Sequence, residues 1–539
     1  MKRSKPSAGT RRNSRRLSGF VEARRTTPLH AQPPLCVQTY SCPPRSRTNS
    51  AAFGEATTCT DSSVGAVLDL TVRPSLAPPW WLDEALAAEV DAPDAPALQA
   101  DDAVDVAIVG AGYTGLWTAL ALRERDPSLR IAVLEKEIVG WGPSGRNGGF
   151  LHGYWTHLAR LRATFGGARA LELCRISDPV VPAVRALCEA YGADIWLREA
   201  GYLKVSAAPF EDDAVDRAVA AARDLGVPDE CVPLTAEEVA ERVRSPRFRK
   251  GALFRNGATV QPARLARLLQ RAAIAAGVEL YERTPVTRLV RGSPSVLETP
   301  GGRLHASEVV LATNAWLAAW PPMSRKLTNF GSYVVLTEPV PELLEEVGWT
   351  GGEALSDGRM FLHYFRTTPD GRVLMGSGSG PMGSSVVDGR FTADRPTVAR
   401  AELGLRKLLP GLAEARITHA WGGPIDVSSD HLPFFGTGPG TRVHYGAGYS
   451  GSGVGASWLG GQILASLVLG VEDEYTALPL VSRRVPNLPP EPIKSLGGAL
   501  VRGAILRCEE AEEDGARAPL LARAVAHLPR IVGLQVGTR

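Results

Sequence analysis

The sequence has no Cys-x-x-Cys pair, no apolar run approaching the roughly 18 residues a membrane span needs, and no repeat of solenoid type. Its seven cysteines form an odd set. Three of them, Cys36, Cys42 and Cys59, fall near the N-terminus, which suits reduced thiols better than a disulfide framework. The longest apolar stretches, Val309 to Trp320 and Ile463 to Val471, are short and read as core. A strong charge of one sign is also missing from most of the chain. Eleven Lys/Arg against Glu22 and Glu55 put +9 on residues 1–60 and leave −6 on the rest, for a net charge of +3. The main body therefore gives no reason to expect nucleic acid or an anionic membrane as partner, and no metal site is expected.

The N-terminus has the Arg- and Ser-rich, acid-poor composition of a transit peptide, and Arg15-Arg16 hints at a twin-arginine signal. Yet Val21-Glu22-Ala23-Arg24-Arg25 stands where the apolar region of an export signal would be. Residues 1–77 are expected to be a disordered basic extension, or the product of a start upstream of the natural one, on a cytoplasmic protein.

What is present is the composition of an ordinary globular chain, 44% hydrophobic and 22% charged over 539 residues, too long for one simple core. Order is expected to begin near Pro79-Trp80-Trp81, followed by an acidic linker from Asp91 to Asp102. Val104 to Val109 is a near-continuous apolar run, the pattern of a strand buried on both faces of a parallel sheet. A helical pattern runs from Thr114 to Leu122, and Ile131 to Leu134 is the next strand, completing a compact βαβ unit.

Between the first strand and the helix lies Gly110-Ala111-Gly112-Tyr113-Thr114-Gly115, and Glu135 ends the second strand with Lys136 beside it. A lone GxGxxG is only a glycine-rich turn. Here the strand, the glycines, the helix and the acid coincide, as dinucleotide binding requires. Gly110 permits the tight turn, Gly112 lets backbone approach a pyrophosphate, and Gly115 lets helix and strand pack closely. The helix N-terminus offers N–H groups and partial positive charge to phosphates. Glu135 can accept both ribose hydroxyls and would repel a 2′-phosphate, which argues against NADP.

FAD and NAD share this fingerprint, so the segment after the second strand decides between them. Trp141-Gly142-Pro143-Ser144-Gly145-Arg146-Asn147-Gly148-Gly149-Phe150 combines small residues with two polar side chains suited to phosphate and ring oxygens, while its glycines let N–H groups lie against a flat ring. The plain alternative is a surface glycine loop.

With these residues the chain resembles the glycine/D-amino-acid oxidase family of FAD enzymes, and particularly its gamma-glutamylputrescine oxidoreductase-like branch. Further similar segments are Val260 to Leu265, Thr284-Pro285-Val286, Val309 to Asn314 and Trp421 to Gly470, so the resemblance covers about residues 78 to 485. It implies an α/β fold with a Rossmann-like FAD-binding domain and an interleaved antiparallel-sheet substrate domain. The FAD domain would take residues 78–160, 256–330 and 416–485, the substrate domain 161–255 and 331–415, with 486–539 a helical extension. It also implies that Val286 meets the adenine and that Ala312-Thr313 closes over the pyrophosphate, with Gly422 in a neighbouring segment.

A second GxGxxG, at Gly446, Gly448 and Gly451, is not followed by a further strand and acid, so a second nucleotide domain is rejected. The resemblance instead puts Gly448, Gly451, Ser452, Gly453 and Val454 beneath the flavin pyrimidine, at a helix N-terminus that stabilises negative charge on the reduced ring. No Cys occurs between Cys231 and Cys508 and no His lies between Ser144 and Gly149, so non-covalent FAD is expected.

On the substrate side, alternation along Met360 to Arg366 puts Tyr364 and Arg366 on one face. They either hold a substrate carboxylate or belong to a solvated strand face. His152, Tyr154 and Trp155 are placed near the ring, and no general base is assigned. The expected reaction is hydride transfer from a small amine or amino acid, giving an imine that hydrolyses. Some relatives use a lysine near the flavin to react with oxygen, and the matching Arg372 to Gly376 has none. Three functions remain open: an oxidase, a dehydrogenase with another electron acceptor, and a non-catalytic flavin-binding protein.

Overall fold

A computed structural model of the chain describes residues 67–69, 78–89 and 95–531. The rest of the expected N-terminal extension, with Cys36, Cys42 and Cys59, lies outside the described residues. One part of that extension differs from expectation. Val67–Asp69 forms a strand paired antiparallel with Arg288–Val290. Open backbone groups on a sheet edge accept such an added strand.

Among the described residues the larger architecture is two nine-stranded sheets. The first has a parallel centre in the order Val443–Ala447, Gly302–Leu311, Asp102–Val109, Ile131–Leu134, Glu279–Tyr281. The apolar run read as a doubly buried strand is one. Val106 and Ile108 face a core shared with the helices Tyr113–Arg125, Pro262–Ala275 and Gly453–Leu469. Val104, Ala107 and Val109 face a second core with Leu289, Leu297 and Trp320. The segment read as a linker is packed rather than free, since Ala95 and Leu98 are buried and the Leu98 N–H donates to Thr284 Oγ1 at 3.1 Å.

The second sheet is mostly antiparallel and draws on strands from Tyr202–Ser206 to Ile417–Ser428. Period-two alternation gives it one apolar face. Leu203, Val205, Val335, Leu355, Phe365 and Met375 bury themselves against the helix Arg395–Leu408. The opposite face carries Tyr202, Lys204, Ser356 and Tyr364, all of which line a cavity. The C-terminal helix Ile493–Glu513 is tied on by charge, Glu513 pairing with Arg359 at 2.9 Å and Lys407 at 3.0 Å, and the helix Leu520–Ile531 packs through Val525 and Ala526 on the cluster of Val501 and Ile505. Among the described residues no helix is long and apolar enough to cross a membrane.

Candidate functional site

Two cavities of about 350 and 300 Å³ lie side by side, one under the ends of the parallel strands and one under the polar face of the second sheet. Pro143, Asn147, Ile425, Gly451 and Val454 line both, so they share a wall.

The first cavity is built on the glycine turn. Gly110 has φ +100°, and a Cβ there would lie 2.7 Å from Ala312 O. A Cβ on Gly115 would lie 2.0 Å from Gly110 O, so only glycine lets the helix start this close to its strand. Gly112 differs, because a Cβ there would meet only Ser144 Oγ at 2.9 Å, and this residue lines the cavity. These are the packing and approach roles expected of the three glycines. Ser144 Oγ accepts the Tyr113 N–H at 2.9 Å, binding the loop at 142–149 to the helix N-terminus.

Glu135 lines the cavity and also holds the turn. Its Oε2 accepts the Ala111 N–H at 2.9 Å and its Oε1 the Glu137 N–H at 3.1 Å, while burial raises its pKa. Tyr113, Thr114, Lys136, Gly142, Val286, Ala312, Thr313 and Gly453 line the same space. The two glycine turns meet here, where Thr114 Oγ1 donates to Tyr449 Oη at 2.8 Å. The second turn thus closes the cavity opened by the first.

Several expected residues support the cavities rather than face the first one. Arg146 is buried, donating from Nε to Trp141 O at 2.8 Å and from Nη1 to Gly422 O at 3.1 Å, and it lines the second cavity. Asn147 lines both cavities, but its amide donates to Pro143 O and Ser144 O and its oxygen accepts the Gly149 N–H at 2.8 Å. Gly148 lines the second cavity, whereas Gly149, Gly422 and Gly448 line neither. Gly149 has φ +74° and lies so close to Val260 O that a Cβ would be 2.0 Å from it. Ser452 lines the second cavity and its hydroxyl lies 3.0 Å from His157 Nε2.

Tyr364 and Arg366 are separated by the structure. Tyr364 lines the second cavity, its hydroxyl 2.7 Å from Ser332 Oγ, and burial pushes its pKa up to about 12. Arg366 is 1% exposed and outside both linings. Its guanidinium donates to Val260 O and Thr367 O and stands 5.8 Å from the Trp81 ring. Neither residue is on a solvated face. Alternation is correct, but two residues along a strand is a displacement of roughly 6.7 Å, enough to carry Arg366 past the cavity and beneath Gly149. Of the aromatic candidates, His152 lines the second cavity, while Tyr154 and Trp155 are core residues.

Sequence reasoning missed the other walls. Asp426 lines the first cavity, accepting from Asn314 Nδ2 at 3.0 Å, and burial pushes its pKa up to about 7. Arg160, Lys204 and His157 line the second. Burial, followed by His152, Arg160 and Lys204, holds the His157 pKa well below its usual 6.5. Arg160 and Lys204 lie 44 residues apart on a helix and a strand, and no local pattern announces them.

The sequence profile described as "FAD dependent oxidoreductase" matches residues 105–467. The chain belongs to this family of FAD enzymes. Glycine oxidase of Geobacillus kaustophilus (strain HTA426) is 30% identical over 392 residues, covering 70% of this chain and 95% of the relative. Gamma-glutamylputrescine oxidoreductase of Escherichia coli (strain K12) is 29% identical over 381 residues, covering 69% and 85%. The crystal structure of the Geobacillus kaustophilus glycine oxidase matches with a TM-score of 0.59 at 26% identity, covering 71% of this chain and all of that one. FAD is therefore the cofactor, and the first cavity fits it. A glycine cradle stripped of side chains at Gly112, a helix N-terminus and a carboxylate at Glu135 are the donor set that an adenine dinucleotide needs.

Proposed function

We propose that the protein oxidises a small amine or amino acid in the second cavity, using FAD held non-covalently in the first. The observation that carries this reading is the shared wall at Pro143, Asn147, Ile425, Gly451 and Val454, which sets the cofactor cleft directly beside the second cavity. When bound, FAD supplies the hydride acceptor at N5. The chain's own residues bind, orient and set the protonation of the substrate.

An amine yields hydride from its α C–H only when its nitrogen lone pair is free. A cavity walled by the cationic side chains of Arg160 and Lys204 favours the neutral amine over the ammonium ion. Tyr364, fixed by Ser332, gives the substrate a hydroxyl contact on the sheet side. The helix Gly453–Leu469 directs its N-terminus toward the shared wall, where its partial positive charge favours electron uptake nearby. Loss of hydride leaves an imine, and water converts it to a carbonyl compound and ammonia or a shorter amine. Arg366 is reassigned from the substrate to the loop, as the brace beneath Gly149 and Val260.

No cysteine lines either cavity among the described residues, which supports non-covalent FAD. The free thiols of Cys174, Cys188, Cys231 and Cys508 accord with a cytoplasmic location. Transfer of electrons to an acceptor other than oxygen is the second reading, favoured by the strand Val373–Ser377, which carries no lysine. Anaerobic mixing of the FAD-loaded protein with amines and amino acids tests the main reading. Bleaching of the flavin supports it, and a flavin that no amine reduces overturns it. Reoxidation of the reduced protein in air then separates the two acceptors.

A further inference from the structure

The helix Ile493–Glu513 lies beyond residues 105–467, which the family profile matches, yet it is built into the wall of the second cavity. Val501, Ala504, Ile505 and Glu509 recur at helical spacing and are buried along one stripe. Val501 and Ile505 form one apolar cluster with Phe330, Phe361 and Val427, and Met360 and Ile425 pack against it. All five of these partners line the second cavity. Val525 and Ala526 of the helix Leu520–Ile531 add to the same cluster.

Polar contacts fix this helix to the same wall near both of its ends. Lys494 Nζ donates to Ser324 O at 2.9 Å and to Leu327 O at 3.4 Å, at the start of the strand that carries Phe330. Glu509 Oε1 accepts the Met360 N–H at 2.6 Å, and a buried carboxyl needs such a partner, so Glu509 sets the register of the helix on the segment that carries Phe361. Between these anchors Val501 and Ile505, which do not line the cavity, back the Phe330 and Phe361 rings, which do. The two ring centroids are 6.4 Å apart. Ile425 also belongs to the wall shared with the cofactor cleft, whereas Phe330, Met360, Phe361 and Val427 do not. The apolar surface therefore begins beside the cofactor and leads away from it. Such a surface is matched by an apolar group, because contact removes both from water.

We propose that the helix Ile493–Glu513 is part of the substrate site, as the backing of an apolar subsite at Phe330, Met360, Phe361 and Val427. The substrate is an amine whose apolar substituent fills this subsite while its C–N bond lies at the shared wall. Val501 and Ile505 are positioning residues that set the depth of the subsite, and with it the longest substituent accepted. This assignment rests on the amine-oxidation reading for the identity of the ligand, but not for its binding.

Calorimetric titration of the FAD-loaded protein with straight-chain primary amides of increasing length tests the subsite without turnover. Affinity should rise about fourfold for each added CH2 up to a limiting length and then level off. Ile505→Ala should extend that limit by at least one carbon with full FAD content. Leu496→Ala, at an exposed site on the same helix, should leave it unchanged. Val501→Ala gives the same reading as Ile505→Ala should the latter fail to hold FAD. Affinity independent of chain length in the unaltered protein overturns the proposal, and so does an unchanged limit in the FAD-loaded Ile505→Ala and Val501→Ala proteins. Flavin reduction by amines separates the two readings. If no amine bleaches the flavin while amide binding keeps its length limit, the catalytic reading falls and the subsite stands. If alkylamines bleach it while amide affinity is flat with length, the subsite falls and the catalytic reading stands.

Discussion

Asn314 donates its side-chain amide to Asp426 across 3.0 Å, joining the turn after one parallel strand to a carboxyl on the wall of the FAD cleft. Asp426 also accepts the Gly448 N–H, so one buried carboxyl links the 312–314 turn with the second glycine turn. Burial raises its pKa from 3.8 to about 7. Between those values the folded protein holds a proton that the unfolded chain has lost. The stabilisation is complete below pH 4 and disappears as pH rises through 7. A rise of this size corresponds to about 4 kcal/mol at most. Urea unfolding of the FAD-free protein should show stability falling from pH 5 to pH 8, and Asp426→Asn should flatten that fall. Parallel losses in the two proteins would remove Asp426 as the cause.

The glycine turn predicts two substitutions with opposite signatures. Gly115→Ala puts a Cβ against the Gly110 carbonyl, so it should cost about 1–3 kcal/mol of stability even without FAD. Gly112→Ala meets only a rotatable serine hydroxyl but enters the space FAD requires. It should leave the FAD-free melting temperature nearly unchanged and weaken FAD binding tenfold or more. Thermal melts and fluorescence titration with FAD distinguish the two, and loss of stability in both variants would contradict the division of roles.

The parts of the cofactor site that were legible in the sequence are those set by short-range geometry. Gly110, Gly112, Gly115 and Glu135 fall within one βαβ unit, where spacing alone fixes their relative positions. The polar loop residues Arg146 and Asn147 were read as ligand contacts, and in the structure they also donate to the Trp141, Gly422, Pro143 and Ser144 carbonyls. A sequence shows which donors exist but not which acceptors reach them first. The substrate chamber was less legible still, because Arg160, Lys204 and Ser332 come from separate elements that meet only in the folded chain. Arg366 shows the same limit on one strand, where face was predictable and distance from the cavity was not.

That contrast yields a third test. Tyr364→Phe removes a hydroxyl from the chamber wall and one hydrogen bond to Ser332, a change of about 1 kcal/mol. FAD content should stay full while the rate of flavin reduction by a good substrate falls about tenfold. Arg366→Met leaves the Val260 carbonyl without its donor and the Trp81 ring without its cation, so it should lower thermal stability and FAD retention. Substrate KM, measured on the fraction that keeps FAD, should change less than twofold. A large KM effect for Arg366→Met would return that residue to the substrate.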